Sequence, residues 1–382
     1  MSFKFKLFTF IQLIKILLKL KKFKGTHTFF FPRYAMGGAE KVHLDIIKIN
    51  KIKPLVIFTS ASHNNFYKQF FFDYAHCIDV SEILKFTFLK RVISFFLKIK
   101  INKCKVVFGC NSKYYYELIP KINFQRVKTI DLFHSFDNSS EEGILHWSIP
   151  VNHKITNRVV INSSIKNDIL NYYKTNRITD FPSIQIIENK IEVIEKPNFI
   201  KKSSHINVCY IGRYDEIIKR TQLVFEISKI TSGNSNIKFH FAGFNPSELD
   251  FEIPKNCKVH GVLKKHELNK LYSKCHIILF TSQSEGLPVA LIEAMNHFVV
   301  PISTSVGGIK QIIHNNENGF LIENDRNNEI IKNIHDILSR IENNSISIEN
   351  LSRHAYDTII EMKKKEHFDE SYSNLLELNV YN

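Results

Sequence analysis

The sequence has no cysteine pair at CxxC spacing: Cys77, Cys104, Cys110, Cys209, Cys257 and Cys275 stand singly along 382 residues. That excludes the common zinc and dithiol redox signatures, and six thiols in so long a chain do not make a disulfide scaffold. Reduced, mostly buried thiols in a cytosolic protein are the reading that remains. Long hydrophobic runs are missing too. The stretch Leu7–Leu20 is interrupted by Thr9, Gln12, Lys15 and Lys19, too short and too charged for the about 20 apolar residues of a membrane span. It also lacks the clean apolar core and small-residue cleavage site of a signal peptide. Acidic residues are scarce in the first third. Residues 1–110 hold 20 Lys+Arg against 5 Asp+Glu, whereas residues 111–382 hold 32 of each. The formal net charge of +15 therefore sits in one region. A uniformly basic, histone-like chain is excluded. One acid-seeking face is implied, with nucleic acid, anionic lipid or an anionic ligand as its partner. With 44% hydrophobic and 23% charged residues the chain is not disordered, and its length suffices for two or three domains.

What is present in that basic third is two lysine-rich stretches. Residues 1–24 carry seven lysines and no acid. Gln12, Lys15, Lys19 and Lys22 fall on one helical stripe, with Phe10, Ile14, Leu17 and Leu18 away from it, the pattern of a basic amphipathic helix lying in a membrane interface. Residues 85–105 hold seven Lys+Arg and again no acid. There Phe88, Leu89, Val92, Ile93 and Phe96 form an apolar stripe and Lys90, Arg91, Ser94 and Lys98 a polar one. Two such stretches would supply the two signals that stable peripheral binding needs. The alternative is ordinary surface helices, apolar side to the core and lysines in water. Nucleic acid is the weaker rival, because its readers use arginines and spaced aromatics, and only Arg33 and Arg91 occur among these 20 basic residues.

From residue 26 onward short apolar runs alternate with helical patterns, which predicts βαβ units and parallel sheets. Strands are expected at Thr26–Phe31, Pro54–Phe58, His76–Val80, Lys105–Gly109, Val127–Phe133 and Arg158–Asn162. The polar segment Glu195–His205 reads as a linker. The pattern then restarts, with strands at Ile206–Ile211, Lys238–Ala242, Lys258–His260, His276–Phe280, Phe298–Ser303 and Gly319–Ile322. Helices are expected at Lys219–Ile230, Lys264–Lys274, Pro288–Asn296 and Glu329–Asn343. The domains are thus 25–195 and 206–365, preceded by a membrane-associating helix at 1–24, joined by a linker at 196–205 and followed by a helix in 366–382. The predicted class is α/β, two Rossmann-like doubly wound domains facing a central cleft, where ligands gather at the carboxyl ends of strands.

Four constellations could carry chemistry. Strand His276–Phe280 runs into a polar turn with Glu285, Gly286, Leu287 and Pro288, then a helix from Val289 with Glu293 two turns in. The helix start presents free N–H groups, suited to a diphosphate. The two glutamates are too far apart along a helix for a glycosidase acid–base pair. They read better as acceptors for sugar and ribose hydroxyls, or as a cap and a solvent contact. Strand Ile206–Ile211 leads to Arg213 and Lys219, a forked donor and a point charge able to reach a phosphate, or a solvated basic pair. Gly37-Gly38 follows the first strand and allows close backbone approach or a tight turn; Gly307-Gly308 is similar. His134 ends the strand Val127–Phe133 and is a sugar contact or simply a polar strand end.

Taken together, the chain resembles the retaining glycosyltransferase family 4 (glycosyl transferases group 1), whose members have the GT-B fold. Glu285 and Glu293 match its E-x7-E motif, and IGRYDEIIK and GGAEKVHLDI resemble its phosphate-binding turn and N-terminal glycine loop. The resemblance covers roughly residues 26–325. It implies that Arg213 and Lys219 neutralise the diphosphate of a nucleotide-sugar. Glu285 would hold the donor sugar, helped by the backbone N–H groups of Gly286 to Val289. Glu293 would bind the ribose, the Gly37-Gly38 loop would approach the distal phosphate, and His134 would meet the transferred sugar. Arg220 stands where a glycine commonly follows the lysine, and Lys310-Gln311 where Pro-Glu is usual.

The implied reaction is retaining, metal-independent hexosyl transfer with no cofactor, in which the leaving phosphate oxygen accepts the acceptor's proton. The acceptor would be a growing, lipid-linked cell-surface glycan of polysaccharide or lipopolysaccharide type. The place of work would be the cytoplasmic face of the membrane, reached through residues 1–24 and 85–105. The rivals are an inactive GT-B binder of nucleotide-sugar or glycan, a nucleic-acid-binding protein, and a GT-B enzyme of other chemistry.

Overall fold

Short apolar runs separated by helices are what two parallel sheets require, since a parallel strand is covered on both faces and must be apolar throughout. The computed structural model describes residues 3–123, 125–137, 143–194, 204–233 and 236–378, the side chains of residues 3–8 excepted. The chain divides into two units, one of residues 1–190 with 367–382 and one of residues 191–366.

The first unit holds β1 (His27–Phe31), β2 (Leu55–Phe58), β3 (His76–Asp79), β4 (Val106–Cys110), β5 (Lys128–Phe133), β6 (Asn157–Val160) and β7 (Ser183–Ile186). They form one sheet in the order β3-β2-β1-β4-β5-β6-β7, parallel throughout. Phe29, Phe30, Phe31, Val106, Val107 and Phe108 are fully buried at its centre. The edge strand β7 was not expected; it is partly exposed and lacks an apolar run. Inside the sheet, Arg158 of β6 donates to Asp131 of β5 at 2.7 Å, and both side chains are at 0% exposure. The Tyr116 hydroxyl also donates to Asp131, and Arg158 reaches Asn152 and the Tyr173 hydroxyl. A charge buried so fully persists only when its partners are this complete.

The helix Phe3–Lys22 is part of this unit. Leu13, Ile16 and Leu20 are buried in the same core cluster as Ile93, Leu97 and Ile101 of the helix Thr87–Ile101, against which it packs. The sequence pattern missed this second apolar face at i, i+3, i+7, because the first one, Phe10, Ile14 and Leu18, was the conspicuous one. Those three residues are exposed, and Leu17 is half-buried. The second basic stretch divides similarly. Ile93 is buried and Leu89 and Val92 pack against the core, while Phe88 and Phe96 face solvent. Ser94, placed on the polar side by the sequence, is buried and bonds the Lys90 carbonyl and the Tyr114 hydroxyl.

The last helix, Phe368–Leu375, also belongs to the first unit. His27 Nε2 meets the Leu376 carbonyl at 2.7 Å, and Lys190 pairs with Asp369 at 2.6 Å.

The second unit holds β8 (Ile206–Ile211), β9 (Ile237–Ala242), β10 (Cys257–Val259), β11 (Ile277–Phe280), β12 (Val300–Thr304) and β13 (Phe320–Ile322), in the order β10-β9-β8-β11-β12-β13 and again all parallel. Residues 191–194, expected in the first domain, belong here: Ile194 N–H donates to Asn296 Oδ1 at 3.1 Å. Residues 196–203 of the expected linker lie outside the described residues. A 17-residue helix, Ile348–Lys364, was not anticipated; it buries Leu351, Ala355 and Ile359 at four-residue spacing. Among the described residues no helix is long and apolar enough to cross a membrane.

In both sheets the strand order reverses once, between β1 and β4 and between β8 and β11. Such a switch point opens a crevice beyond the carboxyl ends, the usual ligand position in doubly wound sheets.

Candidate active site

In the second unit the turns after β8 and β11 meet at the switch point. Lys219, from the first turn, places Nζ 2.7 and 2.6 Å from the two carboxylate oxygens of Glu285, from the second. Ser282 Oγ donates to the same carboxylate at 2.6 Å. Glu285 is 6% exposed and Lys219 22%, so the glutamate is nearly enclosed and the lysine is the more open member. Arg213 is exposed and pairs with Asp215 at 2.6 Å. Asp215 Oδ1 accepts the backbone N–H groups of Ile217, Ile218 and Lys219 and shapes the turn. Burial opposes charge on this carboxyl, but Arg213 and the Ile218 and Lys219 N–H groups outweigh it and hold its pKa below the ordinary value.

Three residues that sequence reasoning did not single out buttress these turns. The Tyr210 hydroxyl donates to the Arg213 carbonyl at 3.0 Å and meets Thr221 Oγ1 at 3.0 Å. Thr281 Oγ1 donates to the Lys219 carbonyl at 3.0 Å. Arg220, which the sequence showed only as a departure, is left-handed at φ 48 and buried. Its guanidinium donates to the carbonyls of Thr281 and Ser282 and to Asn324 Oδ1 at 2.7, 3.1 and 2.5 Å. It ties the Lys219 turn to the Glu285 turn.

Gly286, Leu287 and Pro288 lead into the helix Val289–Met295, seven residues long and shorter than expected. Gly307 sits at φ 51 against this turn, and a Cβ there would lie 1.7 Å from the Glu285 carbonyl oxygen, so only glycine fits. Gly308 N–H donates to the Gly286 carbonyl at 2.6 Å. Glu293 stands apart from the Lys219–Glu285 pair: it accepts from the buried Tyr272 hydroxyl at 3.4 Å and faces Lys265 at 3.6 Å.

In the first unit, Gly37 precedes the helix Gly38–Lys48 that follows β1, and His134 follows β5. His134 Nε2 lies 3.1 Å from Nε2 of His43 on that helix. His43 is fully buried and stacked on Phe31 with ring centroids 4.2 Å apart. Burial lowers the pKa of His134 to about 4. Burial, and then the neighbouring His134, push His43 well below its ordinary value. The pair is therefore neutral at pH 7, with one Nε2–H donating to the other. His43 had no sequence signal of its own, since a histidine among apolar helical neighbours reads as core. His43, Cys110 and His134 also form a group whose ligand atoms all lie within 4.8 Å of one another, a nitrogen–sulfur donor set of zinc type. The solitary cysteines pointed to no metal, and nothing in their spacing showed that Cys110 would meet two histidines.

Each of the two units is a parallel, doubly wound α/β domain, the domain make-up of the GT-B fold. Residues 191–354 match the family model described as Glycosyl transferases group 1. The chain is 25% identical over 234 residues to a poly(ribitol-phosphate) alpha-N-acetylglucosaminyltransferase of Staphylococcus aureus strain COL, covering 58% of this chain and 44% of that protein. It is 30% identical over 120 residues, 30% of this chain and 33% of the other, to a Campylobacter jejuni alpha-1,4-N-acetyl-D-galactosaminyltransferase whose name specifies a diNAcBac-PP-undecaprenol-linked acceptor. The chain thus spans less than half the length of these curated relatives. In fold it is similar to Anabaena HepE in complex with UDP-glucose, with TM-score 0.68 and 13% identity, covering 92% of this chain and 98% of that one.

Proposed function

We propose that the protein is a retaining, metal-independent glycosyltransferase of family 4, using a nucleotide-diphosphate sugar to extend a lipid-linked cell-surface glycan. One observation carries this reading: the Lys219–Glu285 pair at the switch point of β8 and β11, inside the residues that match the group 1 glycosyltransferase model. The relatives' names support the acceptor class, and the UDP-glucose complex of a structural neighbour supports the donor class.

Breaking an anomeric C–O bond leaves an anionic nucleotide and an oxocarbenium-like sugar, so catalysis rests on fixed donors at the growing phosphate charge. Lys219 spends two of its three N–H bonds on Glu285 and keeps one for a phosphate oxygen. Arg213, already exposed, exchanges Asp215 for the second phosphate at little cost. Glu285 accepts a sugar hydroxyl, the N–H groups of Gly286, Leu287 and Val289 face the diphosphate, and Glu293 takes the ribose hydroxyls. Gly37, Gly38 and His134 serve the distal phosphate and the transferred sugar. The leaving oxygen takes the proton of the acceptor hydroxyl as the new C–O bond forms on the same face, which retains configuration. An acceptor held in a bilayer puts the enzyme on an anionic membrane surface, consistent with charge concentrated in residues 1–110.

A thermal-shift screen against a panel of nucleotide-sugars, followed by donor hydrolysis, tests the reading. One donor should stabilise the protein and be slowly hydrolysed to the same anomer. A product of inverted configuration removes the retaining mechanism, and the absence of any stabilising donor removes the assignment.

A further inference from the structure

We propose that the outer side of the helix Thr87–Ile101 carries a binding groove for the phosphate headgroup of an anionic membrane lipid. The inference rests on the reading that the enzyme works at a membrane surface. The groove has a volume of about 450 Å³ and lies between this helix and the segment Tyr114–Lys121; Lys90, Arg91, Phe95, Lys98, Tyr114 and Lys121 line it.

Its charges are lopsided. Lys90 is compensated by Glu117 at 2.6 Å and lies 5.9 Å from the Tyr114 ring centroid. Arg91, Lys98 and Lys121 are exposed and have no carboxylate partner among the described residues. Three uncompensated cations around one concavity repel each other until an anion enters, and a phosphodiester accepts both a guanidinium fork and ammonium point charges. Tyr114, nearly buried, makes a rigid floor through its 2.8 Å bond to Ser94.

The surroundings select a lipid over a soluble anion. Phe95 lines the groove and is 60% exposed, with Phe88, Phe96 and Ile99 exposed on the same helix. The helix Phe3–Lys22 packed beside it leaves Phe10, Ile11, Ile14 and Leu18 exposed as well. Both helices already bury other apolar residues in the core, so these eight are surplus to folding. Large apolar side chains gathered on two adjoining helices mark an interaction surface. Interleaved with lysines, they match acyl chains below and headgroups above. A nucleic acid would use the charge and leave the aliphatic residues wet.

The experiment is co-sedimentation of the full chain with phosphatidylcholine vesicles, with and without phosphatidylglycerol. Wild type should bind only the anionic vesicles. At about fivefold per cationic residue, R91Q/K98Q/K121Q should lose about 100-fold in partitioning while retaining its melting temperature and donor hydrolysis. The charge-matched control K51Q/K53Q/K103Q, at exposed lysines outside the groove, should lose less than tenfold. Equal losses in the two triples mean diffuse attraction and overturn the groove. So does displacement by glycerol phosphate at the concentration of the lipid headgroup, or a triple that abolishes oligonucleotide binding or self-association instead. If wild type ignores all vesicles yet hydrolyses a donor, the groove falls and the transferase reading stands. If vesicle binding behaves as stated and no donor is turned over, the reverse holds.

Discussion

Each unit holds a close ion pair between neighbouring segments, and the two pairs differ in exposure. Asp131 and Arg158 in the first unit have no exposure and are held by Tyr116, Asn152 and Tyr173. Lys219 and Glu285 in the second are joined as tightly in distance, yet Lys219 keeps 22% of its side chain open. A pair without solvent or spare donors cannot exchange partners, because any exchange leaves a charge alone in the sheet. A pair with one open cation can accept an external anion while its carboxylate stays in place. Burial, more than residue type, separates the structural pair from the one proposed to act on a substrate.

The comparison breaks first at Asp131. Asp131→Asn strands Arg158 in the core and should cost about 3–5 kcal/mol of unfolding free energy, read by denaturant titration. A loss under about 1 kcal/mol would show that the interior pair is as replaceable as a surface one. At the other pair the expectation inverts. Glu285→Gln and Lys219→Met should leave the fold in place and lower donor turnover by about 10²–10³, measured as nucleotide release. Near wild-type turnover in either variant would remove these residues from the site.

A smaller effect tests how the open pair is held. Arg220 adopts a left-handed conformation that costs a non-glycine residue about 1–2 kcal/mol, and it fastens Thr281, Ser282 and Asn324 to its own turn. Arg220→Gly relieves the backbone but frees the Glu285 turn. Stability should therefore change by less than about 1 kcal/mol while kcat falls about tenfold, and Arg220→Ala should lose both. Unchanged kcat in Arg220→Gly would make the tie irrelevant to turnover.

Much of this was legible beforehand, for physical reasons. Parallel strands are continuous apolar runs, so twelve of the strands were located to within about two residues, whereas the partly exposed β7 carried no such run. Lys219 and Glu285 each stood out from the turn that bears them, but their pairing across 66 positions did not. The tie made by Arg220 needs a positive φ and two backbone carbonyls, neither of which is written in residue types. The fit of Gly307 against the Glu285 carbonyl was equally invisible, since two glycines after a strand signal only a turn. The packed face of the helix Phe3–Lys22 was hidden for a different reason. It is apolar on two faces, and a single lysine stripe describes only where it is polar.

The smallest expected effect lies at the neutral histidine pair of the first unit, the counterpart of the charged pair in the second. His134 titrates at about 4 in the folded protein and near the ordinary 6.5 when unfolded, because burial opposes its charge; His43 is shifted the same way. Between those values the unfolded chain binds a proton that the folded chain refuses. The stabilisation is thus complete above pH 6.5 and is lost as pH falls toward 4. Each such histidine should remove about 1 kcal/mol between pH 6.5 and 5.5. His134→Gln should flatten that slope by one proton equivalent in equilibrium unfolding, while His240→Gln, lowered to about 4 in the second unit by burial and then by His260, should do the same independently. An unchanged slope in His134→Gln would mean that the pair carries charge in the folded state. The contrast between a neutral edge in one sheet and a charged edge in the other would then be lost.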